Sequence, residues 1–396
     1  KRAPGEALES LLEARQRLRP GRLAAVDGPT GLCADSGRML GQGGATASLT
    51  WSIGLLKRGF LQDRALARVG RLERLDLNLP PFLLEALPPT IPLGLRRVDA
   101  ASAPAPVLDP AAAKYGRGRA LLVVGSRRYR GAAALSLAGA SASGCGSLRV
   151  ALPEEQAGDL WMIAPHAVLE AGLPSDQDGA LLLAALPEQD WRRLDALLLG
   201  PGLGSQGQTA GTAAEDRLWS RLLGFPGLLV LDADGLNRLA CRGVGRPEGA
   251  AAWLRQRQGP TWITPHSGEF RRLFPGWADL EPLQAASEAA AASGAAVLLK
   301  GARSVVAAPD GRLWQMLESD PQAARAGLGD VLAGYAAGRG AMALAGEGMD
   351  RQADAALLAA VALEHAWAGS RAVATRGRGG ATPQAIAREL EKPWPG

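Results

Sequence analysis

The chain has little with which to do sulfur or imidazole chemistry. Its 396 residues hold three cysteines, Cys33, Cys145 and Cys241, and three histidines, His166, His266 and His365. The cysteines form an odd set with no Cys-x-x-Cys pair and no histidine at ligand spacing. That excludes a disulfide scaffold and a thiolate metal centre, and fits reduced thiols in the cytoplasm. Phenylalanine and tyrosine are scarce, at five and three, so the core has to be built from Leu, Val and Ala. No apolar run reaches the length of a bilayer span and no signal-peptide segment appears, which leaves no membrane partner. Charge of one sign is not concentrated either. The net charge of +5 is spread as single and paired arginines, the pattern of a solvated surface rather than of a nucleic-acid binder. The chain opens without Met inside a helical stretch at 5–19, and is expected to be a fragment or a trimmed piece.

What is present suits folded domains. Hydrophobic residues make up 47% and charged residues 21%, enough for two domains or one large one with an appendage. A Pro/Ala/Ser-rich stretch around 98–107 reads as a linker within 98–113. Ahead of it, 1–97 offers strands at 23–26 and 48–53, too few elements for an independent α/β domain. Beyond it, 114–396 alternates short apolar runs at 120–124, 148–152, 196–199, 228–231, 262–264 and 296–299 with Ala-rich helical stretches. These helices are expected at 132–143, 250–258, 283–292, 328–343, 354–369 and 383–391. Continuous apolar strands between helices predict a mostly parallel sheet covered on both faces. Pro309-Asp310-Gly311 between 304–308 and 312–317 predicts an antiparallel hairpin at its edge.

The richest segment is Arg325-Ala326-Gly327-Leu328-Gly329-Asp330, opening the helix at 328–343. Glycines and a helix start together suit an anion, and an aspartate there suits a base that takes a proton from a hydroxyl. On its own the pattern equally suits a helix-capping turn. Five other loops follow expected strands, where open α/β sheets place ligands. They are Gly125 to Ala133, Gly200-Pro-Gly-Leu-Gly204, Asp232-Ala-Asp-Gly-Leu-Asn237, Thr264-Pro-His-Ser-Gly-Glu269 and Lys300-Gly-Ala-Arg-Ser304. Each also has a plain structural use as a turn, cap or hairpin end. Asp232 and Asp234 are open between holding water, Mg²⁺ or a hydroxyl and serving the backbone. His166 and His365, away from any such loop, read as structural.

In this order the motifs resemble the NAD(P)H-hydrate dehydratases, nucleotide-dependent repair enzymes of the ribokinase-like superfamily, from about residue 115 to the end. Val26-Asp-Gly-Pro-Thr-Gly31, Ser48-Leu-Thr-Trp51 and Lys57-Arg-Gly59 resemble the end of an NAD(P)H-hydrate epimerase domain. The resemblance implies a ribokinase-like three-layer α/β sandwich with a mostly parallel central sheet, preceded by a partial Rossmann-like epimerase remnant. The implied reaction is ADP-dependent, alternatively ATP-dependent, dehydration of the S epimer of NAD(P)H hydrate, through phosphorylation of the ring hydroxyl and loss of phosphate. Asp330 is the implied base. Ala132, Gly202, Gly204, His266, Ser267, Gly268, Glu269 and Arg272 would meet the hydrated dinucleotide, together with Asp330. Lys300, Gly301, Ala302, Arg303, Ser304, Ala326, Gly327, Leu328 and Gly329 would meet the nucleotide, and Glu269 is the candidate Mg²⁺ ligand. Asp27 and Thr30 match the epimerase, whose K⁺ belongs to an intact domain, so no epimerase activity is expected of this chain. A homo-oligomer is expected. Leu328 and Arg325 depart from the family pattern, Leu328 by losing a hydroxyl donor and Arg325 by adding charge or bulk. The alternatives are another ribokinase-like kinase acting on a vitamin alcohol and a weakened nucleotide-binding protein.

Overall fold

A computed structural model describes residues 2–88, 90–95, 111–188, 190–204, 213–243, 249–345 and 351–392. The chain divides into two units, Lys1–Ile91 and Pro92–Gly396, so the division falls ahead of the expected boundary at 97. Most of the expected linker, up to residue 110, lies outside the described residues.

In the first unit a helix, Glu6–Leu18, precedes a parallel sheet of three short strands, β1 (Ala24–Val26), β2 (Leu49–Ile53) and β3 (Arg71–Leu75), in that order. The Arg-Leu-Glu-Arg-Leu of β3 carries too much charge to read as a strand. It lies at an edge, where charged side chains stay in water. Leu32, Phe60, Ala65 and Val69 make a small buried cluster.

The second unit holds ten strands: β4 (Leu93–Leu95), β5 (Arg119–Val123), β6 (Ser147–Pro153), β7 (Val168–Leu173), β8 (Ala196–Leu199), β9 (Leu228–Leu231), β10 (Thr261–Ile263), β11 (Ala296–Leu299), β12 (Val305–Ala307) and β13 (Leu313–Met316). They lie in the order β4-β13-β12-β11-β10-β9-β8-β5-β6-β7. The strands from β5 to β11 are mutually parallel, β12 runs antiparallel to both neighbours, and β4 pairs parallel with β13. Side chains alternate across the pleat. Ala120, Leu122, Val230, Trp262 and Leu298 face the helices Arg130–Ala142, Leu328–Ala345 and Arg351–Gly380 on one side. Leu121, Val123, Leu229, Leu231, Ile263 and Val297 face Ala213–Gly224, Ala233–Gly243, Gly249–Arg255 and Pro282–Ser293 on the other. Both faces are covered, which is why the strands are apolar throughout.

Small residues set the helix spacing. Where Arg130–Ala142 crosses Leu328–Ala345, a Cβ on Gly334 would run into the Ser136 carbonyl, and one on Gly139 into that of Val331. No helix among the described residues is long and apolar enough to cross a membrane.

The strand order positions the site. The chain lays β6 and β7 to one side of β5, then returns to place β8 on the other. The loops leaving β5 and β8 therefore diverge, and a crevice opens at the carboxyl ends of the parallel strands.

Candidate active site

Five loops meet at that crevice. The β5 and β8 loops are tied together by the Gly125 N–H donating to the Pro201 carbonyl at 2.8 Å. Gly202, at φ 65°, packs against the start of the Arg130–Ala142 helix; a Cβ there would sit 2.5 Å from that of Ala132. Two small residues thus let the loop and helix meet without side chains between them.

After β9, Asp232 is buried, with 2% of its side chain exposed. Its Oδ1 accepts from Lys300 Nζ at 2.6 Å and from Thr264 Oγ1 at 2.8 Å. Asp234 Oδ2 accepts from the Gly204 N–H at 2.8 Å and its Oδ1 from Asn237 Nδ2 at 3.1 Å. Asn237 Oδ1 in turn accepts from Arg272 Nη1 at 2.8 Å. The aspartates the sequence left open between ligand contact and backbone service are therefore both engaged by protein donors, one with an ammonium and one with a loop amide.

After β10, His266 caps the helix Ser267–Leu273. Its Nδ1 accepts from the Gly268 N–H at 2.9 Å, and its own N–H donates to Glu269 Oε2 at 2.8 Å. An accepting Nδ1 leaves the proton on Nε2, which lies 3.3 Å from Glu269 Oε1. Both Glu269 oxygens thus lie against His266, and Glu269 serves as a capping carboxylate. Burial pushes its carboxyl up, with Asp232 adding to the effect and Lys300 opposing it. His266, Ser267 and Arg272 are exposed at the rim.

After β11, the Lys300 N–H donates to the Pro265 carbonyl at 2.9 Å. Burial works against the charge of its ammonium, but Asp232, Glu269 and Asp330 outweigh it and hold the group protonated above its usual range. Ser304 closes the turn that follows, its hydroxyl donating to the Gly301 carbonyl at 3.2 Å and accepting from the Gly301 N–H at 3.3 Å. Arg303 reaches Ser319 Oγ at 2.6 Å.

The helix Leu328–Ala345 starts against this cluster. A Cβ on Gly329 would lie 3.5 Å from Lys300 Nζ and 3.8 Å from Asp232 Oδ2. Of its first-turn N–H groups, that of Leu328 donates to the Arg325 carbonyl and that of Val331 to the Gly327 carbonyl, both at 3.3 Å, and those of Gly329 and Asp330 have no carbonyl within the helix to bond. Asp330 stands in that turn. Burial raises its carboxyl to about 6, Asp232 and Asp234 adding and Lys300 opposing. The arrangement sets a carboxyl raised to about 6 beside an ammonium and the helix-start amides of Gly329 and Asp330, the equipment for moving a proton off a hydroxyl while anionic oxygen is held.

The two departures from the family pattern resolve differently. Leu328 packs its side chain against the core. The Arg325 guanidinium donates to the carbonyls of Gly379 at 3.2 Å and Arg378 at 2.6 Å, near the end of the Arg351–Gly380 helix. It serves that helix end. Ala326 is exposed beside it.

The sequence reads His365 as structural. It is buried, and burial lowers its imidazole to about 4, while a hydrogen bond to the Leu328 backbone opposes that shift. The ring is therefore neutral near pH 7, with its Nε2 buried. Its only sequence signal is histidine scarcity, because it lies on a helix far from any strand end. Replacing His365 with Phe keeps the volume and loses the donor. Urea unfolding should show a loss of about 1 kcal/mol; unchanged stability would discount the bond.

A cleft of about 570 Å³ opens at the opposite, amino-terminal ends of the strands, lined in part by Arg119, Arg149, Glu170 and Trp191. Arg119 pairs with Asp195 and Arg149 with Glu170, and none of the five loops lines the cleft. In the first unit Asp27 follows β1 at φ 62°. Its Oδ1 accepts from Lys57 Nζ at 2.5 Å and from the Ile53 N–H at 3.3 Å. The Thr30 carbonyl accepts from the Ala45 N–H at 2.9 Å.

Comparisons with known proteins bear on the family and the fold. The NAD(P)H-hydrate dehydratase family model matches residues 120–392. The chain is similar to the bifunctional NAD(P)H-hydrate repair enzyme Nnr of Gloeobacter violaceus, 42% identical over 316 residues, covering 79% of this chain and 58% of that protein. It is 39% identical over 318 residues to Nnr of Synechocystis sp., covering 80% and 57%. The chain thus spans less than two thirds of the length of these relatives. Among solved structures it resembles the ADP/ATP-dependent NAD(P)H-hydrate dehydratase of Bacillus subtilis co-crystallised with ATP/Mg²⁺, with a TM-score of 0.56 at 25% identity over 76% of this chain and 96% of that one. By family match and by fold, the chain belongs to the NAD(P)H-hydrate dehydratases.

Proposed function

We propose that the second unit dehydrates the S epimer of NAD(P)H hydrate at the expense of ADP or ATP. The observation that carries this reading is the Asp330 carboxyl, raised to about 6, beside Lys300 and the helix start. Asp330 takes the proton of the ring hydroxyl as its oxygen attacks the terminal phosphorus and the bond to the nucleotide's bridging oxygen breaks. The phosphorylated ring then expels phosphate with the C–O electron pair while a proton leaves the adjacent carbon, which restores the dihydronicotinamide. Lys300 and the first-turn amides of the Leu328–Ala345 helix hold the charge that builds on the transferring oxygens. Ala132, Gly202, Gly204 and the His266 to Arg272 rim face the dinucleotide.

Among the described residues no group of three or more His, Cys, Asp or Glu side chains is placed to hold a metal. A Mg²⁺ supplied with the nucleotide would neutralise phosphate charge, with Glu269 as the candidate protein ligand.

The test is to supply hydrated NADH with ADP and with ATP in turn and follow recovery of the dihydronicotinamide absorbance. Recovery supports the dehydratase. A stable phosphorylated product without recovery would turn the reading to a small-molecule kinase, and no turnover with either nucleotide would reject an enzyme. Because Asp330 acts as a base, it must be ionised. The kcat/KM profile should therefore be flat above about pH 7 and fall about tenfold per unit below about pH 6. A profile level down to pH 4.5 would rule out a base with that carboxyl's proton affinity.

A further inference from the structure

The loop after β9 joins every other loop of the crevice except that of β5. One oxygen, Asp232 Oδ1, ties together the ends of β9, β10 and β11 through Thr264 at 2.8 Å and Lys300 at 2.6 Å. Two residues on, Asp234 divides its oxygens between the Gly204 amide of the β8 loop and Asn237, and Asn237 passes the connection to Arg272. The two branches differ in setting. The Asp232 branch is buried and lies against Gly329. The Asn237 branch runs outward to the exposed rim shared by His266 and Arg272.

A buried ion pair is a poor way to stabilise a sheet end, because removing both charges from water costs nearly as much as their attraction returns. An apolar pair would hold the loops as well. The pair therefore has a use besides stability. We propose that this loop divides the crevice into two halves: Asp232 is the positioning residue of the phosphoryl-transfer half, fixing the Lys300 ammonium at the start of the Leu328–Ala345 helix, and Asn237 is the positioning residue of the dinucleotide half, fixing Arg272 at the rim. The assignment rests on the dehydratase reading above. Burial raises the proton affinity of Asp330 most, and of the charged groups facing it Asp232 and Lys300 belong to the first half while Asp234 is shared with the second, so the first half carries most of the charge that tunes the base and Asn237 itself adds none.

Three variants separate the halves. Asp232→Asn keeps the shape and removes the charge. A Lys300 ammonium displaced by roughly an ångström should lower kcat about 10²-fold, while KM for the hydrate changes little. The acid limb of the rate profile should move to lower pH, since a negative neighbour of Asp330 is gone and the Lys300 charge is no longer countered. Asp232→Glu keeps the charge and should keep the limb in place. Asn237→Ala should raise KM for the hydrate about tenfold, the loss of a hydrogen bond to a charged group, with the acid limb unmoved. Equal effects of Asp232→Asn and Asn237→Ala on kcat and KM, with no limb shifted, would overturn the division.

Positioning is also read without turnover. With ¹⁵N-labelled lysine, the Lys300 ammonium resonance should be protected from exchange in the wild-type protein and lost in Asp232→Asn. An unchanged resonance in that variant sinks the positioning role. Protection in a wild-type protein that never recovers NADH sinks the dehydratase reading alone.

Discussion

Replacing Asp330 with Asn is expected to lower hydrate turnover about 10³-fold, within the range usually lost with a general base, while ADP and ATP still bind. The amide has the same shape and leaves Lys300, Asp232 and the helix amides in place, so the phosphate cradle survives and only the proton acceptor is lost. Single-turnover rates and titration with a fluorescent ADP analogue separate the two effects; retained turnover would remove Asp330 from the role of base. A second consequence has the opposite sign. The Asp330 carboxyl ionises at about 6 in the fold, against 3.8 for an unperturbed aspartate. The folded state thus holds its proton more tightly than the unfolded chain. Ionisation costs stability, the cost growing as pH rises from about 4 to about 6 and standing in full at pH 7. Two pKa units correspond to about 3 kcal/mol, and coupling to Lys300 and Asp232 reduces what one substitution recovers. Asp330→Asn should therefore be the more stable protein at pH 7 by about 1–2 kcal/mol, with the advantage fading by pH 4. A site that stores strain in this way is one where activity and stability oppose each other.

Gly334→Val is expected to cost about 3 kcal/mol or more, the upper range for overpacking, because the obstacle is backbone. The new Cβ would meet the Ser136 carbonyl of the facing helix, which has no rotamer into which to retreat. The helices must separate, and the start of Leu328–Ala345, with Asp330, moves away from Lys300. Urea unfolding should show the lower midpoint and the hydrate assay a parallel loss of turnover. Gly224→Ala is the matched control, since a Cβ there meets nothing within 4 Å. A native midpoint for Gly334→Val would mean that the two helices are not held at glycine distance.

The parallel sheet was legible because strands buried on both faces have to be apolar throughout, as at 196–199 and 228–231. The seven-residue helix Ser267–Leu273 and edge strand β7, with Glu170 and Gly172 within it, carry no such run and were missed. The site divides in the same way. Strand-end loops with glycines, Asp330 and His266 stand out along the chain. The Asp232–Lys300–Thr264 junction does not, because its members lie 68 and 32 residues apart and only the strand order brings them together. The helix Ala233–Gly243 was hidden by its own functional start, where Ala233 takes φ 46°, a conformation no helix-start pattern anticipates. His365 lies in a helix interior, buried as its structural reading expects.

One short element bears on how the catalytic unit can be handled as a separate piece. β4 is three residues long, yet it closes the flank of β13, and β13 is buried along its whole length. A piece cut to begin where the family resemblance begins, near Tyr115, would lose that guard. It would present a row of unpaired amides and carbonyls flanked by Trp314 and Met316, a template onto which another chain's strand can add. Leu93-Gly-Leu95 thus exchanges a four-residue buried edge for a three-residue exposed one, a shorter template for sheet growth.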